Sequence, residues 1–146
     1  MAPFLFTKAA IEGKTIDVYN YGEMYRDFTY IDDIVEGVIR VIDNPATKDT
    51  SWTGQTSNPS TSSAPYKIYN IGNNKPVKLM DFIAAIETKL GRELCKNFLP
   101  LQAGDVVGTY ADVGDLIETF DYKPSTDLQI GMNHFIDWYL DFFNMK

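Results

Sequence analysis

Residues 22–42 read GEMYRDFTYIDDIVEGVIRVI, with an arginine set between an aromatic residue and an aspartate just before an apolar-periodic run. Ile31, Ile34, Val35, Val38 and Ile42 recur at helical spacing, and Asp32 and Asp33 fall where the helix dipole favours acids. The run therefore predicts a helix that packs its apolar face against the rest of the fold. Asn44-Pro45 ends it, because the residue before a proline is pushed out of helical backbone. Gly37 inside the helix costs roughly 1 kcal/mol against alanine and marks close packing on a neighbour. Just upstream, DFTYI reads as a short strand. Arg26 is one of only three arginines in a chain of net charge −7. Two roles stand open for it: an ion pair with Asp27 or another acid, or the ligand of an anion.

Outward from this stretch, short strands alternate with helices. Residues 3–12 suit a short helix stopped by Gly13, and TIDVYN alternates as a strand. Residues 45–65 are rich in Ser, Thr and Pro and predict a long exposed loop, with Trp52 pinning one point of it. YKIYNIG resumes as a strand, and KLMDFIAAIETKLG is an amphipathic helix closed by Gly91. KNFLPL is strand-like, and residues 112–120 read as a short helix. The closing STDLQIGMNHFIDWYLDFF begins with a capping box of Thr126 and Gln129; Leu128, Phe135, Trp138, Tyr139 and Phe142 would cover a core. The pattern is α/β or mixed α+β with three to five strands in a small partial sheet. All 146 residues are expected to form one domain.

Composition narrows the function. A strongly acidic chain disfavours polyanions, so nucleic acid and acidic membrane surfaces are not expected partners. A small anion held by a local cation remains compatible. One cysteine, Cys95, cannot form an internal disulfide, and no signal peptide or long apolar span is visible. The expected location is the cytoplasm.

Several chemistries lack their residues. No two of the ten glycines are spaced as G-x-G or G-x-x-G, so a dinucleotide fingerprint and a phosphate loop are missing from the chain. One histidine, His134, and one cysteine cannot build a usual zinc site, and no metal is expected. None of the nine tyrosines is followed four residues later by lysine.

RDFTYIDDIVEGVIRVID resembles the hallmark of the extended short-chain dehydrogenase/reductases, the NAD-dependent nucleotide-sugar epimerases and dehydratases. The order YNIGNNKPVKLMDFIAAIETKLG, PLQAGDVVGTYADVGDL and FDYKPSTDLQIGMNHFIDWY continues the likeness through the chain. IDVYNYGEMYRDFTYIDDIVEG and the loop ending TSSAPY are most similar to the UDP-glucuronate 4-epimerases. The resemblance implies the C-terminal, substrate-binding portion of a Rossmann-type epimerase. It also implies that the glycine fingerprint and the Tyr-x-x-x-Lys pair belong to a preceding dinucleotide-binding half. No NAD site and no catalytic residue are therefore expected in this chain, and no epimerase activity from it alone.

Carried over position by position, the resemblance makes Arg26 the ligand of a UDP-sugar diphosphate and Asp105 the acceptor of the ribose hydroxyls. Gln102 stands where some relatives place a second phosphate-binding arginine. Tyr19 and the backbone around Asp17 match the segment that meets uracil, and Thr109 lies where relatives touch the sugar. Other readings stay open: Asp105 as a turn-capping carboxylate after Gly104, and Tyr19 as a strand aromatic at the core edge. Weak binding of UDP or a UDP-sugar is one expectation for the whole chain. A homo-oligomeric interaction module, or one half of a split epimerase joined by a separate N-terminal half, is the other.

Overall fold

Glycine ends two of the helices as the sequence predicts. Gly13 and Gly91 both adopt left-handed backbone, with φ of 67° and 64°, and close the helices that precede them. The structure is a computed structural model and describes residues 1–55 and 58–145. In chain order its elements are α1 (Ala2–Glu12), β1 (Ile16–Val18), β2 (Tyr25–Arg26), α2 (Ile31–Asp43), β3 (Val77–Lys78), α3 (Leu79–Leu90), β4 (Lys96–Phe98), α4 (Gly114–Phe120) and α5 (Leu128–Phe142). This is a mixed α/β fold, and the described residues divide into two compact units.

The first unit comprises Met1–Phe28, Lys75–Tyr110 and Thr126–Lys146. Its core gathers Ile16 and Val18 from β1, Phe82, Ile83 and Ile86 from α3, Met132 and Ile136 from α5, and Ala10 from α1. Fully burying an apolar side chain of this size stabilises by roughly 1.5–3 kcal/mol, so this cluster is what holds the unit together. Phe28 stacks on Phe82, with ring centres 4.5 Å apart. β1 and β4 pair in parallel, Asp17 opposite Asn97, while β2 and β3 pair antiparallel, Arg26 opposite Val77.

Two expectations are corrected in this unit. The N-cap of α5 is Asp127, whose side chain accepts from the Gln129 amide, so the capping residue sits one position after Thr126. On α5 the buried residues are Met132, Ile136 and Tyr139, whereas Trp138 and Phe142 are exposed. An aromatic-rich helix presents apolar groups on more sides than its neighbours can cover.

The second unit comprises Thr29–Asn74 and Ala111–Ser125. Here α2 appears where predicted but faces the other way. Gly37 lies against Ile71 and the Tyr122 ring; a Cβ there would meet Ile71 Cδ1 at 3.1 Å. Arg40 stacks over Tyr122 at 4.7 Å and donates to Phe120 O, and Tyr122 Oη donates to Asp33 O. The polar side of α2 is thus the contacted side. Its apolar stripe lies outward: Ile31, Val35, Val38 and Ile42 are 60%, 47%, 44% and 70% exposed.

Two predicted strands are also absent in this form. DFTYI yields only the Tyr25–Arg26 pairing before it, and YKIYNIG makes one isolated bridge, Thr61 with Lys67, in place of a strand. Strand propensity is realised only beside a neighbouring strand, and among the described residues none lies along residues 68–72. Within the described part of the 45–65 loop, Asp49 organises the backbone. Its carboxylate accepts from the Ser51 amide and hydroxyl and from the Thr61 hydroxyl, which holds that carboxyl below its ordinary pKa.

Candidate functional site

The candidate residues all fall in the first unit, where two chain segments leave the C-terminal ends of the parallel pair β1–β4 side by side. Crevices at such strand ends are the usual ligand position of parallel sheets. The segments stay laced together: Leu99 N donates to Val18 O and Tyr21 N donates to Leu99 O, each at 3.0 Å. After β1 the chain makes a left-handed turn, with φ of 48° at Asn20, 53° at Tyr21 and 85° at Gly22. Such backbone is uncommon outside glycine and costs of order 1–3 kcal/mol where it is strained. Asn20 Nδ2 closes the turn by donating to Glu23 O at 2.7 Å.

The turn delivers β2 to the second segment. Tyr25 N donates to Val107 O at 2.8 Å, and Thr109 N donates to Tyr25 O at 3.3 Å. This zipper sets Arg26 against the Gln102–Thr109 loop. Its Nη1 donates to Tyr25 O at 2.8 Å and to Val107 O at 3.3 Å, and its Nη2 donates to Asp105 Oδ1 at 3.1 Å. Arg26 and Asp105, 79 residues apart in sequence, are therefore in direct contact, with side chains 28% and 36% exposed.

Each sequence candidate has a definite place. Asp105 Oδ1 also accepts from the Val106 amide, and Asp105 N donates to Gln102 O, so a tight turn through Gly104 (φ 86°) joins Gln102 to Asp105. Thr109 is tied to β2 through its backbone. Asp17 is engaged elsewhere, its Oδ1 accepting from Asn97 Nδ2 at 2.8 Å. Tyr19 is half-buried at the start of the left-handed turn. Sequence reading missed Asn97, because the register of two strands 80 residues apart is not written in either one. It also missed Val107, which acts through its carbonyl. The left-handed turn left a trace, since Asn and Gly in YNYG are the residues that tolerate positive φ.

Comparison with known proteins follows the same outline. Residues 2–72 match the NAD dependent epimerase/dehydratase family model. Protein CapI of Staphylococcus aureus is 54% identical over 143 residues, a span covering 98% of this chain and 43% of that protein. A probable UDP-glucuronate 4-epimerase of Rhizobium meliloti is 39% identical over 95% of this chain and 41% of that protein. The crystal structure of the UDP-glucuronic acid 4-epimerase from Bacillus cereus, in complex with UDP-glucuronic acid and NAD, superposes with a TM-score of 0.76. It is 25% identical and is matched over 97% of this chain and 40% of its own. The chain thus spans well under half the length of the relatives it matches.

The matched family model is NAD dependent, and the described residues hold no glycine-rich strand-to-helix turn of the kind that cradles a dinucleotide. Neither parallel strand leads through a glycine-rich turn into a helix N-terminus: β1 runs into the left-handed turn and β4 into the Gln102–Thr109 loop. No hydride step is assigned to these residues. Among the described residues no helix is long and apolar enough to cross a membrane, and no three His, Cys, Asp or Glu side chains gather as metal ligands.

Proposed function

We propose that this chain is the substrate-side part of a UDP-glucuronate 4-epimerase-like fold and binds UDP or a UDP-sugar weakly without turning it over. The observation that carries the reading is the Arg26 guanidinium, oriented by two backbone carbonyls beside Asp105. A planar fork suits a diphosphate, and a carboxylate suits the cis-diol of ribose. In this reading Arg26 holds the diphosphate, Asp105 the ribose, Tyr19 and the Asp17 backbone the uracil, and Gln102 and Thr109 the remaining phosphate and sugar contacts. One charge-assisted contact of roughly 1.5–3 kcal/mol, with a few neutral ones, gives an affinity on the order of millimolar. The Bacillus cereus relative, whose crystals hold UDP-glucuronic acid and NAD, supports the ligand class. Titration with UDP while following amide resonances near Arg26 and Asp105 tests it. Selective shifts that vanish in Arg26→Ala support the site; an unchanged spectrum at millimolar UDP refutes it. Turnover of UDP-glucuronate with NAD by the purified chain would overturn the claim of inactivity.

The outward apolar stripe of α2 favours a second reading as an assembly module. Four aliphatic residues at helical spacing in water invite a partner. We propose that the isolated chain self-associates there, and that a separate dinucleotide-binding half would compete for the same stripe. Sedimentation checks it: a clean monomer at high concentration removes the homo-oligomer. We assign the chain to the cytoplasm, where exposed Cys95 stays reduced.

A further inference from the structure

The helix α2 is fastened by its backbone and its polar side. Of its 13 residues only Gly37 is buried, and glycine has no side chain to bury. Among the described residues α3 packs along α1 and α5, whereas α2 lies along no other helix or strand to a comparable extent. Its seat is the close approach of Gly37 to Ile71 and the Tyr122 ring. Asp121, at φ 47°, ends α4 and turns the chain so that Phe120 O and the Tyr122 ring serve the same helix. Arg40 donates to that carbonyl at 2.9 Å and lies 4.7 Å over the ring, and Tyr122 Oη donates to Asp33 O at 2.7 Å. Asp33, Gly37 and Arg40 follow one another at helical spacing along one face, and all three meet the same aromatic residue.

We propose that Tyr122 is a latch, and that its release lets α2 open from the second unit while the first unit stays folded. A helix of 13 residues is marginal in water without docking contacts. The aliphatic stripe adds little to docking, because Ile31, Val35, Val38 and Ile42 already meet solvent. The contacts at Tyr122 are a cation–π stack, a hydrogen bond and a close backbone approach, each a modest net gain. The first unit is held differently, by aliphatic and aromatic side chains that α3 and α5 bury in a shared core. Segments with few buried apolar contacts open at low free energy, in cooperative pieces of their own. The latch is thus a conformational device: opening at Tyr122 frees residues 31–43 and leaves α3 and α5 in place. It operates with or without a bound nucleotide sugar.

The test is native-state hydrogen exchange of the 146-residue chain, in dilute solution without urea and in mild urea, for wild type, Tyr122→Ala, Tyr122→Phe and Lys67→Gln. Lys67 ties its segment to Asp115 of α4 at 2.7 Å and is the control within the same unit. In wild type the amides from Val35 to Val41 should be protected, yet about 100-fold less than those of α3, and mild urea should change them little. This readout needs no variant to fold. Tyr122→Phe keeps the ring and loses the hydroxyl, and should lower α2 protection about 3-fold. Tyr122→Ala should lower it about 10-fold or more and leave α3 within about 2-fold of wild type. Lys67→Gln should leave α2 within about 2-fold of wild type. The latch is overturned if α2 is as protected as α3 in wild type, or if α2 has no protection at all, since a latch needs a closed state. It is equally overturned if Tyr122→Ala loosens α2 and α3 together, or if Lys67→Gln loosens α2 as much as Tyr122→Ala does.

Discussion

At the scale of single residues, Arg26 owes its orientation to a flat group held edge-on by two carbonyls. Lysine keeps the charge but has no plane to hold and no second edge to offer. Arg26→Lys should therefore weaken UDP binding by about 5- to 10-fold in the same titration, while urea unfolding stays near wild type. Glu87 shows the same chemistry used for stability. Its Oε1 accepts from the Leu94 amide at 2.7 Å and from Lys96 Nζ, tying the turn after α3 to β4. Burial alone would raise its pKa; the Lys96 ammonium and the Leu94 amide outweigh that, and the carboxyl titrates below its ordinary 4.5. A depressed folded value means the contribution is full at neutral pH and fades as pH falls below 4.5. Glu87→Gln should cost about 1–2 kcal/mol at pH 7 by urea denaturation, and the gap to wild type should close in acid. The residue types at the candidate site were legible in the sequence. Their contacts were not, because Arg26 and Asp105 meet only through strand pairings between segments 79 residues apart.

At the scale of elements, two glycines beside the site differ sharply. Gly22 is buried at φ 85°, and a Cβ there would lie 2.7 Å from Met80 Sδ. Gly108 has ordinary backbone, and its Cβ would meet Tyr25 Cβ at a comfortable 3.8 Å. Gly22→Ala should lower stability by about 1–3 kcal/mol, whereas Gly108→Ala should be close to neutral; chemical denaturation of both variants checks the contrast. Helix ends were the most legible elements, since Gly13, Gly91 and Asn44-Pro45 act locally. Strands were the least. YKIYNIG has the composition of a strand, yet after Ile68 N, which donates to Ser60 O, residues 69–72 join no strand among the described residues. Pairing is a property of two segments, and periodicity reports only one of them. The direction faced by α2 was hidden for a related reason: spacing reveals that a helix has two sides but does not name the neighbour of either.

At the scale of the molecule, the outward stripe of α2 makes a prediction separable from ligand binding. Val35→Lys combined with Val38→Lys should keep the helical signal and abolish any concentration-dependent association, because both side chains already meet solvent. Far-UV circular dichroism and sedimentation together decide it; association that persists would place the contact elsewhere.

The β2–β3 pair has a topological meaning of its own. Residues 29–74 form an excursion that leaves the first unit at Phe28 and re-enters it at Lys75. Tyr25 and Arg26 pair with Lys78 and Val77 at that neck, and Leu79 N donates to Met24 O at 2.8 Å. Both walls of the Arg26 site lie on the near side of this staple, so chain continuity through the excursion is not what joins them. A single tryptic nick at exposed Lys48 should leave the fragments migrating together, with the UDP response of Arg26 intact. Seen this way, the neck converts a long stretch of covalent chain into an optional connection, and the binding unit could be cut open, permuted or rejoined there without disturbing the arginine it was built around.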